Sequence, residues 1–162
     1  MSPDVEPVQP GSLRRVERTA HKKLPLILAR EFAANVAVPI FLVDADNTLV
    51  YYNDAAQVAF GGPFGQTGEL RHGEWGTRFN PTRADGSAYD RNELALVIAL
   101  EERRPAHGVH QVSDPQGHRR MVEFSALPLF AAQDDFCGVL VAFWEAKNDD
   151  EDGPVDLSAW TA

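Results

Sequence analysis

The segment 40–61 constrains the fold more than any other part of this 162-residue chain. Residues 40–43 are all apolar, Asp46-Asn47 provides turn residues, and strand-forming residues resume over 49–52. Asn53, or the aspartate that follows it, can then cap a short helix through a side-chain oxygen, and glycines end that helix. The segment therefore predicts a hairpin of two short strands, followed directly by a small helix.

The composition predicts one soluble domain of a cytoplasmic protein. The length suits a single domain of about 100–150 residues with additional ends. The single cysteine, Cys137, excludes an intramolecular disulfide and a paired-cysteine metal site. Neither an apolar run of about 18 residues nor a basic-then-apolar leader occurs, so we expect no membrane span and no signal peptide. The net charge of −9 disfavours nucleic acid as a partner, because phosphate binding needs a basic face.

Changes in composition divide the chain into four predicted parts. Residues 1–11 contain three prolines and few apolar groups, which predicts a disordered leader. A helical segment follows over 12–37 and a folded domain over 38–146. The acidic residues 147–162 predict a disordered tail.

The helical segment contains one amphipathic helix that begins near Pro25, since proline suits a first helical turn. The helix ends before Val38-Pro39, because a residue that precedes proline avoids helical geometry. Its apolar residues lie four apart and form one stripe, made of Leu24, Leu28 and Phe32.

The middle of the chain combines a glycine-rich stretch with one longer helix. Frequent glycines over 61–76 predict irregular loops with at most one short helical turn. The pattern Asp90-x-x-Glu93 resembles a capping box and predicts the start of a helix, which Pro105 ends. The apolar face of this helix is predicted to consist of Leu94, Val97 and Ile98.

Three further strands are predicted over Val109–Ser113, Arg120–Phe130 and Phe136–Glu145. Both faces of the last strand are apolar, which a sheet with one solvated face would not show. Simple alternation places Phe136, Leu140, Ala142 and Trp144 on one face, and Cys137, Val139, Val141 and Phe143 on the other. We therefore expect the central helices to cover one face, and the N-terminal helix or a second subunit to cover the other.

This order of elements resembles the PAS domain, a sensory and interaction module. The resemblance rests on three motifs: the segment 44–61, the turn Asp85-Gly86-Ser87 that leads into the central helix, and the segment 114–129. It covers roughly Val38 to Glu145. It implies an α+β fold in which helices flank a single five-stranded antiparallel sheet, with an N-terminal helix before it.

The resemblance also implies a cavity between the inner sheet face and the central helices, suited to a small and mostly apolar ligand. The candidates to line it are Phe41, Val43, Tyr52, Phe60, Phe79, Leu94, Ile98, Phe124 and Trp144. Each of these residues, taken alone, is better explained as part of the core. Trp75 and Arg78, in the glycine-rich stretch, are candidates for a lid.

The sequence contains few residues that could hold flavin or haem, the two cofactors that the resemblance suggests. Flavin photochemistry needs a thiol on a helix that faces the ring, whereas Cys137 lies early in a strand and is interpreted as a small buried hydrophobe. Haem usually takes a histidine from the longer central helix, which has none, so His72 is the best remaining candidate. We find no metal-ligand spacing and no catalytic constellation, and we expect no enzyme.

These observations predict a stand-alone, non-catalytic sensory or adaptor module in bacterial-type signalling. It would act by contact with an unidentified signalling protein and could hold a small ligand in its cavity. The alternative is a sensor of redox state, gas or light that holds haem through His72, or flavin. We also predict a homodimer about a two-fold axis, with an interface formed by Leu24, Leu28, Phe32, Val139, Val141 and Phe143.

Overall fold

The computed structural model describes residues 23–77, 79, 81–113 and 116–147. The predicted leader, most of the residues before Leu24 and nearly all of the acidic tail lie outside the described residues. The elements are α1 Leu24–Ala34, β1 Ile40–Asp44, β2 Leu49–Tyr52, α2 Gln57–Phe60, α3 Phe64–Thr67, α4 His72–Trp75, α5 Ala95–Glu101, β3 Ala106–Ser113, β4 Arg119–Phe130 and β5 Phe136–Glu145.

The five strands form one antiparallel sheet in the order β2-β1-β5-β4-β3, which confirms the predicted fold. In the first hairpin the backbone N–H groups of Asp46 and Thr48 each donate to Asp44 Oδ1 at 2.9 Å, and Asn47 adopts φ 59°. The inner face of the sheet packs against α2, α4 and α5, and α1 packs on the outer face. These contacts place the main core between the inner face and the short helices.

The predicted faces of β5 are wrong beyond Gly138. A bulge in the β4–β5 pairing occurs at the start of the strand, where Gly138 has φ 151°. A Cβ atom at this position would lie 2.1 Å from the carbonyl oxygen of Val43, so only glycine fits. The extra residue shifts the alternation by one position.

Because of this shift, three residues that were predicted at the dimer interface are in the inner core: Val139, Val141 and Phe143. Trp144, predicted in the pocket, lies instead on the outer face. It is 38% exposed, and its ring lies 6.2 Å from the His107 ring. Phe136 and Cys137, before the bulge, keep their predicted faces.

The central helix is shorter than predicted. The capping box forms, since Glu93 Oε2 accepts the backbone N–H of Asp90 at 2.8 Å, but it caps a single 3₁₀ turn over Arg91–Glu93. Leu94 then adopts an extended conformation, with ψ 124°, and separates this turn from α5. As a result Ala95 and Ala99 are the fully buried residues of α5. The glycine-rich stretch is more regular than predicted, because it contains α3 and α4.

Helix α1 covers only part of the outer face. It packs through Leu26, Ala29 and Ala33 against a cluster that includes Leu42 and Cys137. The predicted apolar stripe points the other way: Leu24, Leu28 and Phe32 are 63%, 59% and 59% exposed. We call these three residues the α1 stripe.

Candidate functional site

A cavity of about 210 Å³ lies on the inner face of the sheet, between α4 and the start of α5. We call it the inner cavity. Its apolar walls are mainly aromatic and include Phe41, Trp75, Phe79, Leu94, Ala95 and Phe124, and its polar wall residues are Asn47, His72, Arg91 and His110. The Phe41 ring contacts both Trp75 and Phe79, with centroids 5.5 and 5.7 Å apart. The side chains of His72 and Arg91 are exposed, so they flank the mouth of the cavity.

The structure brings some of the predicted pocket residues together and separates others. The four that line the inner cavity are Phe41, Phe79, Leu94 and Phe124. The four that pack in the core beside it are Val43, Tyr52, Phe60 and Ile98. Trp75 is not a lid but a buried wall residue, and Arg78 lies outside the described residues.

Asn47 supplies a polar group from the β1–β2 turn. Its Nδ2 atom lies 2.9 Å from His72 Nδ1, and its backbone carbonyl accepts the Trp75 Nε1–H at 3.2 Å. Its Oδ1 atom is buried and has no hydrogen-bond partner. A buried carbonyl oxygen without a partner costs about 1–3 kcal/mol, so this atom is set up to accept a hydrogen bond.

His110 supplies a second polar group from β3, the strand at the opposite edge of the sheet. It is 6% exposed, and neither of its ring nitrogens has a hydrogen-bond partner. Gly108 makes room for the ring, since a Cβ at that position would lie 2.7 Å from His110 Nε2. The ring packs edge-to-face against Tyr89, with centroids 4.8 Å apart, and lies 5.8 Å from the Phe124 ring.

The electrostatics of the cavity keep His110 neutral at neutral pH. Burial lowers the pKa of His110 below 6.5, and the charge of Glu93 opposes this shift only in part. The His107 ring, on the outer face of the same strand, lowers the pKa further. A neutral imidazole carries one N–H donor and one nitrogen acceptor, and both are buried without a hydrogen-bond partner in His110.

Sequence reasoning missed Asn47 and His110 as cavity residues. Asn47 was interpreted only as a turn residue, although asparagine tolerates the left-handed conformation found there. The predicted start of β3 at Val109 concealed the role of His110. The strand in fact begins at Ala106, and its inward positions include Ala106, His110 and Val112. The small residues that precede His110 on the strand, Ala106 and Gly108, were the sequence signal for an inward-facing side chain at this position.

Phe79 separates the inner cavity from a second cavity of about 310 Å³, since it lines both. The second cavity lies toward the other end of the sheet and is lined by Ala59, Val122 and Phe143 among others. Trp144, predicted in the pocket, borders this second cavity rather than the inner one. The Phe79 ring also contacts Phe60, Phe124 and Phe143, with centroid distances of 5.3 to 5.9 Å. This ring therefore limits the length of a molecule in the inner cavity.

Neither cofactor suggested by the sequence fits the described residues well. Cys137 packs in the outer cluster, so the sheet separates its thiol from the inner cavity. Since a cavity of about 150 Å³ holds benzene, about 210 Å³ leaves room for one substituted ring rather than for a tricyclic flavin or a porphyrin. His72, the predicted haem ligand, is hydrogen-bonded to Asn47 at the cavity mouth.

A family model described as a PAS fold matches residues 33–149. Among solved structures, the chain is similar to the PAS domain of Bordetella pertussis BvgS, with 17% identity, coverage of 76% of this chain and 87% of that one, and a TM-score of 0.51. It is also similar to a Rhodobacter sphaeroides LOV protein, with 18% identity, coverage of 78% and 69%, and a TM-score of 0.58. A PAS domain from Colwellia psychrerythraea has 15% identity, coverage of 75% and 96%, and a TM-score of 0.53. At these identities the likeness concerns the fold alone.

No curated protein matches the sequence. Among the described residues, no helix has the length and apolar character needed to cross a membrane.

Proposed function

Since this chain belongs to the PAS family, whose members are generally sensory and non-catalytic, we propose that it senses a small molecule and signals through protein–protein contacts. The inner cavity is the ligand site, and a partner protein receives the signal. The observation that carries this proposal concerns two polar residues in the wall of an aromatic cavity, Asn47 and His110: the Asn47 Oδ1 atom and both ring nitrogens of His110 are buried and have no hydrogen-bond partner. A core that served packing alone would lose stability by burying such atoms without partners.

The second part of the proposal is a homodimer. The α1 stripe is one exposed apolar surface, and the uncovered half of the outer sheet face provides another. We call the second one the outer-sheet patch; its members are Val109, Met121, Leu127 and Trp144, all at least 38% exposed. In a two-fold dimer the α1 stripe of one chain packs on the outer-sheet patch of its partner, and the same contact repeats around the axis. Val139, Val141 and Phe143 take no part in this interface.

Ligand-dependent hydrogen exchange of the full-length protein tests the proposal. The backbone of β1 connects the cavity to α1, because Phe41 lines the cavity while its neighbour Leu42 packs on the α1 side. Ligand binding is therefore expected to slow amide exchange in α1 and in the strands beneath it. A ligand that binds without any change in exchange outside the cavity walls would contradict signalling through this face.

A cofactor-based light or redox sensor is the second candidate, because one of the similar folds is that of a LOV protein. A visible absorption spectrum of freshly purified protein separates the two candidates. A flavin or Soret band would support the cofactor sensor. A spectrum without either band supports the small-molecule sensor.

A further inference from the structure

The second cavity is an apolar groove that the described residues leave partly open. Its walls include Ala59, Val122 and Phe143, and Val58 at its rim is 84% exposed. A cavity of about 150 Å³ holds benzene, so the volume of about 310 Å³ accommodates one large aromatic side chain. Exposed apolar surface around a groove marks a place where another group binds.

The chain leaves the sheet at the rim of this cavity. Glu145, the last residue of β5, is one of the residues that line it. Residues 148–162 lie outside the described residues, and twelve of them separate Lys147 from Trp160. Six residues out and six residues back would each span about 20 Å, at about 3.3 Å per residue, so Trp160 can return to the cavity.

The sequence of this segment changes character at Gly153-Pro154, a pair typical of turns. The four residues before the pair, 149–152, are all acidic and form an acidic run. Three large apolar residues follow the pair, Val155, Leu157 and Trp160, with a single acidic residue among them. A segment that is disordered alone can become ordered when such side chains bind a surface. A turn at this pair would direct them back toward the sheet.

The charges at the start of β4 suit the acidic run. The backbone N–H of Ala146 donates to the Met121 carbonyl oxygen at 2.8 Å, so the chain leaves β5 beside the start of β4. Arg119 and Arg120 are both exposed there, and Glu145 pairs with Arg120 at 3.3 Å. One carboxylate against two guanidinium groups leaves a positive charge, which attracts the acidic run over a Debye length of about 8–10 Å.

We propose that the segment 153–162 docks in the second cavity of its own chain, with the Trp160 ring against the apolar walls. The acidic run passes the arginines of β4, the chain turns at Gly153-Pro154, and the apolar side chains cover the groove. A partner protein that used this groove would have to displace the segment first. This site is separate from the inner cavity, because Phe79 lies between the two.

Nuclear Overhauser effects in the full-length protein test the proposal. We expect contacts between the Trp160 indole ring and the methyl groups of Val58, Ala59 and Val122, which line the groove. Trp160→Ser should abolish these contacts and shift the amide signals of the same three residues. Thr161→Ser is the matched control, because it removes one methyl group from the neighbouring residue, and it should leave those signals in place. The contacts in the unaltered protein keep the test valid if a variant folds poorly.

A mixed sample of isotope-labelled and unlabelled protein identifies which chain supplies the segment. Contacts within one chain support the proposal. Contacts found only between labelled and unlabelled chains would assign the groove to the segment of a second copy and overturn the proposal. The absence of contacts from Trp160, or amide signals that Trp160→Ser leaves unchanged, would overturn it as well. Ligand binding in the inner cavity is tested separately, since none of these signals comes from its walls.

Discussion

Asn53 holds three parts of the fold together through one side chain. Its Nδ2 atom donates to the carbonyl oxygens of Ala33 and Val38 at 3.0 and 2.8 Å, and its Oδ1 atom accepts from the backbone N–H groups of Ile40 and Ala56. The hydrogen bond from the Ala56 N–H to Asn53 Oδ1 is the predicted helix cap. The others, which no local pattern indicates, attach the end of α1 to the sheet.

Replacing Asn53 by Asp should lower the free energy of unfolding by about 3 kcal/mol, because a carboxylate cannot donate to the carbonyls at the end of α1. Urea unfolding measures the loss. Asn35→Ala is the control, since Asn35 is exposed and bonds only within its own helix; it should change stability by less than about 0.5 kcal/mol. Equal losses for both variants would contradict this role of Asn53.

His110 should make the protein sensitive to acid. Its folded pKa lies below the unfolded value of 6.5, so below that pH the unfolded state binds a proton more readily than the folded state. The free energy of unfolding should therefore fall as the pH drops from about 6.5 through the folded pKa. Urea midpoints of wild type and His110→Phe, at about pH 7.5 and about pH 5.5, measure the effect. If wild type lost no more stability than His110→Phe between these two pH values, the lowered pKa of His110 would be disproved.

At the level of elements, strand boundaries were far easier to predict than strand faces. Runs of apolar and β-branched residues between turn residues fix where β1, β2, β4 and β5 begin and end to within one residue. The faces of β5 depend on the bulge at Gly138, which is a tertiary contact with Val43 rather than a local signal. The break at Leu94, which lines the cavity, was not predicted either, because the helical pattern of apolar residues continues through it.

Gly138→Ala tests the bulge directly. The new Cβ would collide with the Val43 carbonyl, and the φ of 151° disfavours any residue other than glycine. We expect a loss of at least about 2 kcal/mol in thermal or urea unfolding. Gly65→Ala is the matched control, because Gly65 lies in a helix with open space around it and should be neutral or slightly stabilising. If Gly138→Ala left the free energy of unfolding unchanged, the bulge would not lie at Gly138.

At the level of the whole molecule, the two exposed apolar surfaces point to self-association. Leu28→Lys places a charge in the middle of the α1 stripe, where the monomer has space for it but a dimer interface does not. Light scattering should show a dimer for wild type and a monomer for the variant. Val58→Lys, at a site that is more exposed still, should remain dimeric. A monomeric wild type would rule out the dimer.

An NMR titration with a low-molecular-weight cell extract asks whether the inner cavity binds a small molecule. Wild type is compared with Ala95→Leu, which fills the cavity from its α5 wall. We expect amide shifts in wild type at Phe41, Asn47, His110 and Phe124, and no such shifts in Ala95→Leu. No shifts in wild type, or equal shifts in both proteins, would contradict binding in the inner cavity.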